Sequence, residues 1–344
     1  MGVKAAIFEG AGKPLRVDEV PVPALGPGEA LIRVAACGIC HTDLHYIDHG
    51  VPTFKAPPLI LGHEASGIVE EVGAEVEKIR QGDRVLIPAV VTCGTCVYCR
   101  SGRENICERQ AMFGNHIDGA YAQYVKAPAK DLFLLPPELT LEEACIIADA
   151  ISTPFHAVTN RGKVRPGDQV VVFGCGGVGI NIVQIAAALG AVVYAVDLRE
   201  EKLELARKLG ASETINPQEI PQVSKVIKQR TGGGVDVAFE AIGKPETILQ
   251  AFDSLRRGGR LCIVGYSHLP AEFNVAKVMF FEMEVVGSLG CRPVDYPRII
   301  EMVRLGRLRL EPLISHRLPL DEINHGLDLV RQGVGVRNIV LPHA

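Results

Sequence analysis

The chain has little charge of one sign to spare. Thirty-six basic residues face 40 acidic ones, a formal net charge of −4, which gives no electrostatic reason to expect nucleic acid or an anionic membrane as partner. The opening MGVKAAIFEG has no basic segment followed by a long apolar core, so no secretory signal is expected. Ala6 stands where myristoylation would need Ser or Thr. Tryptophan is absent, and no repeat array is visible. Only one run could pass for a membrane span, the almost wholly apolar stretch Val170 to Val196, and its clustered glycines with Asn181 and Gln184 argue against that. What remains is ordinary for a soluble globular enzyme, with 47 % hydrophobic and 22 % charged residues, and a length of 344 that predicts about two domains.

The texture changes along the chain. Up to about residue 150, short β-rich runs such as GEALIRVAAC, SGIVEEVG and GDRVLIPAV alternate with Gly/Pro turns. From Arg165, strand and helix alternate: VVVFG, then GINIVQIAAALG stopping at Gly190, then AVVYAVD, then REEKLELARKLG stopping at Gly210. That pitch predicts a parallel sheet covered on both faces. From about Gly287 the texture is mixed again, with a helix at YPRIIEMVRLG and a last strand at VRNIVLP. The expected architecture is α/β. A β-rich domain of residues 1–150 and 287–344, with a metal lobe at about 88–110, is interrupted by a dinucleotide-type domain at 151–286.

Four segments carry chemistry. In VVVFGCGGVG, Gly174, Gly176 and Gly179 have G-x-G-x-x-G spacing between a strand and a helix, and Asp197 ends the next strand. Such glycines let the backbone approach a pyrophosphate, the helix start offers free N–H groups, and the carboxylate accepts ribose hydroxyls. Asp197 would repel a 2′-phosphate and favours NAD, although Arg199 stands close by. In CGTCVYCRSGRENIC, the thiols of Cys93, Cys96, Cys99 and Cys107 can close a tetrahedral zinc site; an iron–sulfur cluster would use the same donors. Ten cysteines without an export signal are not expected to form disulfides. Cys40 and His63 could supply two ligands of an open, catalytic zinc.

The sequence resembles the zinc-dependent medium-chain alcohol dehydrogenases along essentially its whole length. GHEASGIVEEVG matches that family's zinc signature with Gly62, His63, Glu64, Gly67 and Gly73, GICHTDLH its first ligand segment, and CGTCVYCRSGRENIC its structural-zinc lobe. GCGGVG, with Gly177 and Val178 between the spaced glycines, matches its coenzyme turn. The resemblance implies a GroES-like β-barrel catalytic domain, a Rossmann domain with a cleft between them, and two zinc ions per chain. It makes Cys40 and His63 catalytic-zinc ligands, with Asp43 hydrogen-bonding the His63 imidazole. Thr42 would pass the substrate's proton on toward His45 near solvent, and Glu64 would lie behind the metal. His41 and Arg337 would face the coenzyme pyrophosphate, Lys202 the adenosine ribose beside Asp197, and Thr153 the nicotinamide. Thr42 and Asp43 could instead merely cap a helix.

The third ligand poses a choice within ACIIADAISTPFHAV. Counting back from Thr153 and Phe155, as the family's pattern requires, lands on Asp149 rather than Cys145. A carboxylate is a sound zinc ligand. Cys145, four residues upstream and on the same face if the segment is helical, is then expected to be a small core residue.

Ala89 stands where relatives often carry a large aromatic, so secondary, cyclic or bulky alcohols are expected substrates. The segments around Val51, Ala89, Asn115 and Asp149 also resemble a subgroup acting on alicyclic hydroxyacyl-CoA thioesters, the 6-hydroxycyclohex-1-ene-1-carbonyl-CoA type, against which no basic cluster for a CoA phosphate stands out. A zinc-free quinone-reductase-like protein is the other alternative. A cytoplasmic homodimer or homotetramer is expected, with MEVVGSLG offering an edge strand for pairing.

Overall fold

Hydrophobic residues at nearly every position of Glu29–Ile39 call for a strand covered on both faces. In the computed structural model, which describes residues 2–344, this strand is the hub of a seven-stranded sheet. It pairs antiparallel with Glu64–Val72, Tyr124–Pro128 and Arg337–Leu341. Arg84–Ile87 and Phe133–Leu134 extend the sheet on one side, Ile314–Pro319 on the other. Strands Gly2–Phe8, Arg16–Pro21 and Leu59–Ile60 form a smaller sheet whose Ala6, Phe8 and Leu59 share one core with Ile32, Val34, Val69, Val85 and Tyr121. These elements belong to the first of two units, residues 1–149 with 291–344.

The second unit, residues 150–290, holds six parallel strands. Numbered in chain order they are Gln169–Phe173, Val192–Val196, Glu213–Ile215, Val235–Glu240, Leu255–Ile263 and Glu284–Gly287, and their order across the sheet is 3-2-1-4-5-6. That is the order of a doubly wound Rossmann sheet, reversing at its first strand. Helices Gly179–Ala188, Glu200–Lys208, Val223–Thr231 and Pro245–Asp253 connect the strands. The chain returns to the first unit at Cys291, a few residues after the point read from sequence. The reason is pairing: Glu284–Gly287 runs parallel to Leu255–Ile263, and the Ser288 N–H still donates to Ile263 O at 3.0 Å. No helix among the described residues is long and apolar enough to cross a membrane.

Candidate metal centres and nucleotide turn

Strand register brings the first two donors together. Gly38 pairs with Glu64 across antiparallel strands, so the chain leaving one strand at Cys40 meets the chain entering the other at His63. Cys40 then starts the helix His41–Ile47, and Asp43 accepts the Cys40 N–H at 3.2 Å. Asp43 therefore does cap the helix, yet it also lies beside His63.

The third donor arrives by a break in regular structure. Helix Leu141–Ala144, capped by Thr140, tightens into a 3-10 turn at Cys145–Ala148, and Asp149 leaves it at φ −140°, ψ −54°. The Tyr296 hydroxyl donates to Ala148 O at 2.8 Å and pins the turn just before that residue. The condition under which Cys145 and Asp149 would share a face, an α-helical segment, is not met, since the winding changes at Cys145. Cys145 is fully buried, donates to Glu142 O at 3.1 Å, and is the small core residue expected. Asp149 keeps a fifth of its side chain exposed, with Oδ2 3.7 Å from Cys40 Sγ and 3.7 Å from His63 Nε2.

These separations fit a shared ion. Donors about 2.0–2.3 Å from one tetrahedral zinc lie about 3.3–3.8 Å from each other. Both His63 ring nitrogens are buried and lack a hydrogen-bond partner, a costly state for an imidazole unless something else engages them. Burial pushes the His63 pKa down, but Cys40, Asp149 and Asp43 outweigh it and hold the value well above the ordinary one. This donor set, a thiol and carboxylates around one imidazole, suits a cation. Behind His63, Asp43 Oδ1 is 3.8 Å from Nδ1, an ion-pair separation rather than the expected hydrogen bond. The reason is that Asp43 Oδ2 is committed elsewhere, accepting the Tyr121 hydroxyl at 2.6 Å and the Cys40 N–H.

Glu64 is wholly buried and no hydrogen bond reaches either of its oxygens. Burial raises its pKa, and the buried Arg337 guanidinium, 3.4 Å from Oε1, opposes that rise. Gly38 makes room for this carboxylate, since a Cβ there would fall 2.0 Å from Glu64 Oε2. Arg337 also donates to Ile39 O at 3.2 Å. The group Cys40, His63, Glu64 and Asp149 is one of two metal-type clusters among the described residues.

The other cluster is the four-thiol loop. Sulfur separations of 3.4, 3.5, 3.9 and 3.9 Å link Cys93, Cys96, Cys99 and Cys107 in a ring. They are far too long for disulfides and close to the spacing of about 3.7 Å expected around a tetrahedral S4 zinc. Backbone N–H groups of Thr95, Cys96, Cys99 and Arg109 point at these sulfurs. The Thr95 N–H and hydroxyl, then the Cys96 N–H and the Cys107 thiol, bring the Cys93 pKa down to about 5 against the opposing effect of burial, favouring the thiolate a metal needs.

Near the first cluster, Thr42 Oγ1 lies 3.5 Å from Cys40 Sγ. His41 is exposed and its ring meets that of His45 edge-on, with centroids 5.2 Å apart. Sequence reasoning missed Tyr121. It also missed the bond by which the Asn115 amide donates to the Tyr46 hydroxyl at 2.6 Å, because these contacts join segments far apart in the chain.

In the second unit, the first strand ends at Phe173 and the glycine turn follows. Gly174 has φ +90°, and a Cβ on Gly179 would fall 1.7 Å from Gly174 O, so turn and helix close only with glycine at both places. A Cβ on Gly176 would meet nothing within 4 Å, leaving that backbone open to an approaching group. Gly177 and Val178 complete the turn, and Asp197 accepts the Cys175 N–H at 2.7 Å and the Arg199 N–H at 3.0 Å. Lys202 is half-buried on the helix that follows, and Thr153 is half-buried on Ser152–His156.

The chain matches the alcohol dehydrogenase GroES-like domain over residues 26–137 and the zinc-binding dehydrogenase family over 177–304. An alcohol dehydrogenase of Geobacillus stearothermophilus is 38 % identical over 332 residues, covering 96 % of this chain and 97 % of that one. Among solved structures, an alcohol dehydrogenase from Thermus sp. ATN1 superposes with a TM-score of 0.91 at 34 % identity, covering 98 % of this chain and 99 % of that one. A zinc-binding dehydrogenase from Sinorhizobium meliloti 1021, solved bound to NADP, gives 0.90 at 31 % identity, with 99 % and 100 % covered. The chain is an oxidoreductase of the GroES-like plus Rossmann architecture. It belongs to the zinc-dependent medium-chain alcohol dehydrogenase family.

Proposed function

We propose that this protein is an NAD-dependent alcohol dehydrogenase holding one catalytic and one structural zinc, and that it interconverts secondary, cyclic or bulky alcohols with their carbonyl compounds. The carrying observation is the convergence of Cys40, His63 and Asp149 around buried imidazole nitrogens that nothing else engages. Cys40 and Asp149 together supply two negative charges, His63 a neutral donor, and three donors leave a fourth position for substrate. When bound, the metal contributes Lewis acidity toward a hydroxyl or carbonyl oxygen and the dinucleotide contributes the hydride acceptor. Every other role falls to side chains. Asp43, held by Tyr121, fixes the orientation of His63. Thr42, next to Cys40, takes the proton of the substrate hydroxyl, and His45, one turn along the same helix, carries it outward. Glu64 with Arg337 adds a buried carboxylate that can approach the metal site.

On the second unit, the amides from Gly176 to Gly179 receive the pyrophosphate, while Asp197 with Lys202 receives the ribose. The Asp197 carboxylate disfavours a 2′-phosphate. Ala89, buried and small, supports a roomy substrate pocket. The edge strand Glu284–Gly287 and the exposed Val275, Met279 and Phe280 beside it support a homodimer or homotetramer. Cysteines free of disulfides support a cytoplasmic setting.

The test is a screen that follows NADH absorbance, with primary, secondary and cyclic alcohols and alicyclic hydroxyacyl-CoA thioesters side by side, repeated with NADP. Fastest turnover of secondary or cyclic alcohols with NAD supports the proposal. Turnover confined to the thioesters transfers it to the CoA-ester reading, and a chain with two zincs that oxidises none of these compounds ends it.

A further inference from the structure

One side chain outside the roles given so far stands in line with them. Thr42, His45 and His49 follow one another at spacings of three and four residues, which stacks them along one side of the helix His41–Ile47 and its extension through Asp48. Exposure rises along that line: Cys40 is buried, Thr42 and His45 are half-buried, and His49 is exposed. The Nδ1 atoms of His45 and His49 are 3.2 Å apart while the ring centroids are 5.4 Å apart. The two nitrogens therefore lie between the rings, nearly on the line joining the ring centres. Two lone pairs do not face each other at that distance, so one Nδ1 carries a hydrogen and the other accepts it. Such head-on alignment suits proton exchange, whereas chelation needs both nitrogens aimed at a common point off the line.

The segment after the helix is tied down. Arg331 clamps Asp48 with two bonds of 2.8 Å, the Val51 N–H donates to His45 O at 3.0 Å, and the Gly12 N–H donates to Ile47 O at 2.7 Å. His49 is held at its place beside His45.

We propose that His49 is the outward proton-transfer partner of His45, and that it delivers to solvent the proton released by alcohol oxidation. This rests on the dehydrogenase reading above, in which His45 receives the substrate's proton. The transfer balances as follows. A proton arrives at Nε2 of His45, the hydrogen on His45 Nδ1 passes to His49 Nδ1, and the hydrogen on His49 Nε2 leaves to water or a buffer base. Both rings end neutral with their hydrogens exchanged, and exchange with solvent resets them. No redox change is involved. His49 acts through His45 and touches no substrate atom itself.

Other charged groups surround the pair. His41 stacks edge-on against His45, the Asp48–Arg331 ion pair sits beside His49, and Arg337 lies deeper toward His41. The turn carrying Gly12 brings Glu9, already engaged by Arg16, and Lys13. Burial, with help from His41 and His49, lowers the His45 pKa below its ordinary value, so the ring stays neutral and able to accept a proton near neutral pH.

The test compares wild type with H49Q, H45Q and the double variant in alcohol oxidation by the zinc-loaded enzyme, at low and high buffer concentration, with and without added imidazole. His49 is exposed, so H49Q should fold and keep its metal, which a zinc count of the purified variant checks; H49N serves as a second replacement. The expected result is a fall in kcat of about threefold or more at low buffer, with KM little changed. Imidazole or concentrated buffer should restore the rate, and the double variant should be no slower than H45Q. A purely structural role would not produce rescue by a soluble base. H49Q and H49N with wild-type kcat and no buffer dependence overturn the proposal, as does a loss that imidazole leaves untouched and that adds to H45Q. Wild type inactive on every alcohol would instead sink the dehydrogenase reading.

Discussion

Replacing Asp149 with alanine removes one of three donors from the open site and one of the two negative charges that match the dication. The remaining pair, Cys40 and His63, would hold a metal far less tightly. Disturbing even a residue that merely orients a ligand typically costs 10–100-fold in metal affinity, so losing a donor outright should cost at least about 100-fold, or about 2.7 kcal/mol. Asp149 keeps a fifth of its side chain exposed and makes no part of the core, so folding should survive. The four-thiol loop shares no residue with this site. Elemental analysis after dialysis against a mild chelator should therefore fall from two zincs per chain to one, with alcohol oxidation lost. A thiolate restores the charge and donor, so D149C should recover both metal and much of the activity, whereas D149N should not. Asp149→Ala with two zincs and undiminished turnover would refute the ligand assignment, and a full loss of both metals would show that the two centres are not independent.

Three further outcomes are expected. Cys96→Ser should abolish metal binding in the lobe and lower the thermal midpoint while the open site keeps its zinc; an unchanged metal count and midpoint would contradict a zinc role for the thiols. Tyr121→Phe takes away the hydroxyl that satisfies the buried Asp43, which should cost about 1–3 kcal/mol of unfolding free energy in urea titrations and weaken retention of the open-site metal. Asp197→Ala should raise the ratio of NADP to NAD specificity, measured as kcat/KM, by about tenfold or more, since the carboxylate both binds the ribose and repels a 2′-phosphate; an unchanged ratio would place cofactor choice elsewhere.

Features that depend on local pattern were readable directly. The strands and helices of the second unit follow hydrophobic periodicity, and Gly174 and Gly179 occur where the turn admits no side chain. The four thiols lie so close in sequence that their grouping needs no tertiary information. The choice of Asp149 rests on the resembled family's step back from Thr153 and Phe155, but its orientation is not legible, because the switch from α to 3-10 winding after Ala144 leaves no mark in a run of uniformly apolar residues. The commitment of Asp43 to Tyr121, 78 residues away, and of Asn115 to Tyr46, 69 away, escaped for a related reason: such bonds are set by how the helix His41–Ile47 packs against the irregular segment before Tyr124–Pro128. His49 passed unnoticed since its interest lies in ring orientation alone.

The two candidate metal sites differ in how much chain each must gather. Four thiols close a loop of at most 14 residues, whereas Cys40 and Asp149 are separated by 109. By loop-closure entropy the longer gathering costs about 2 kcal/mol more in an unfolded chain, before counting the strand pairing that sets Cys40 beside His63. Under the two-zinc reading, the cysteine lobe needs only its own short loop to gather four donors, whereas the other donor set needs the strand pairing of Gly38 with Glu64 as well. In the proposed two-zinc enzyme, the spacing of the ligands predicts that the lobe fills before the open site.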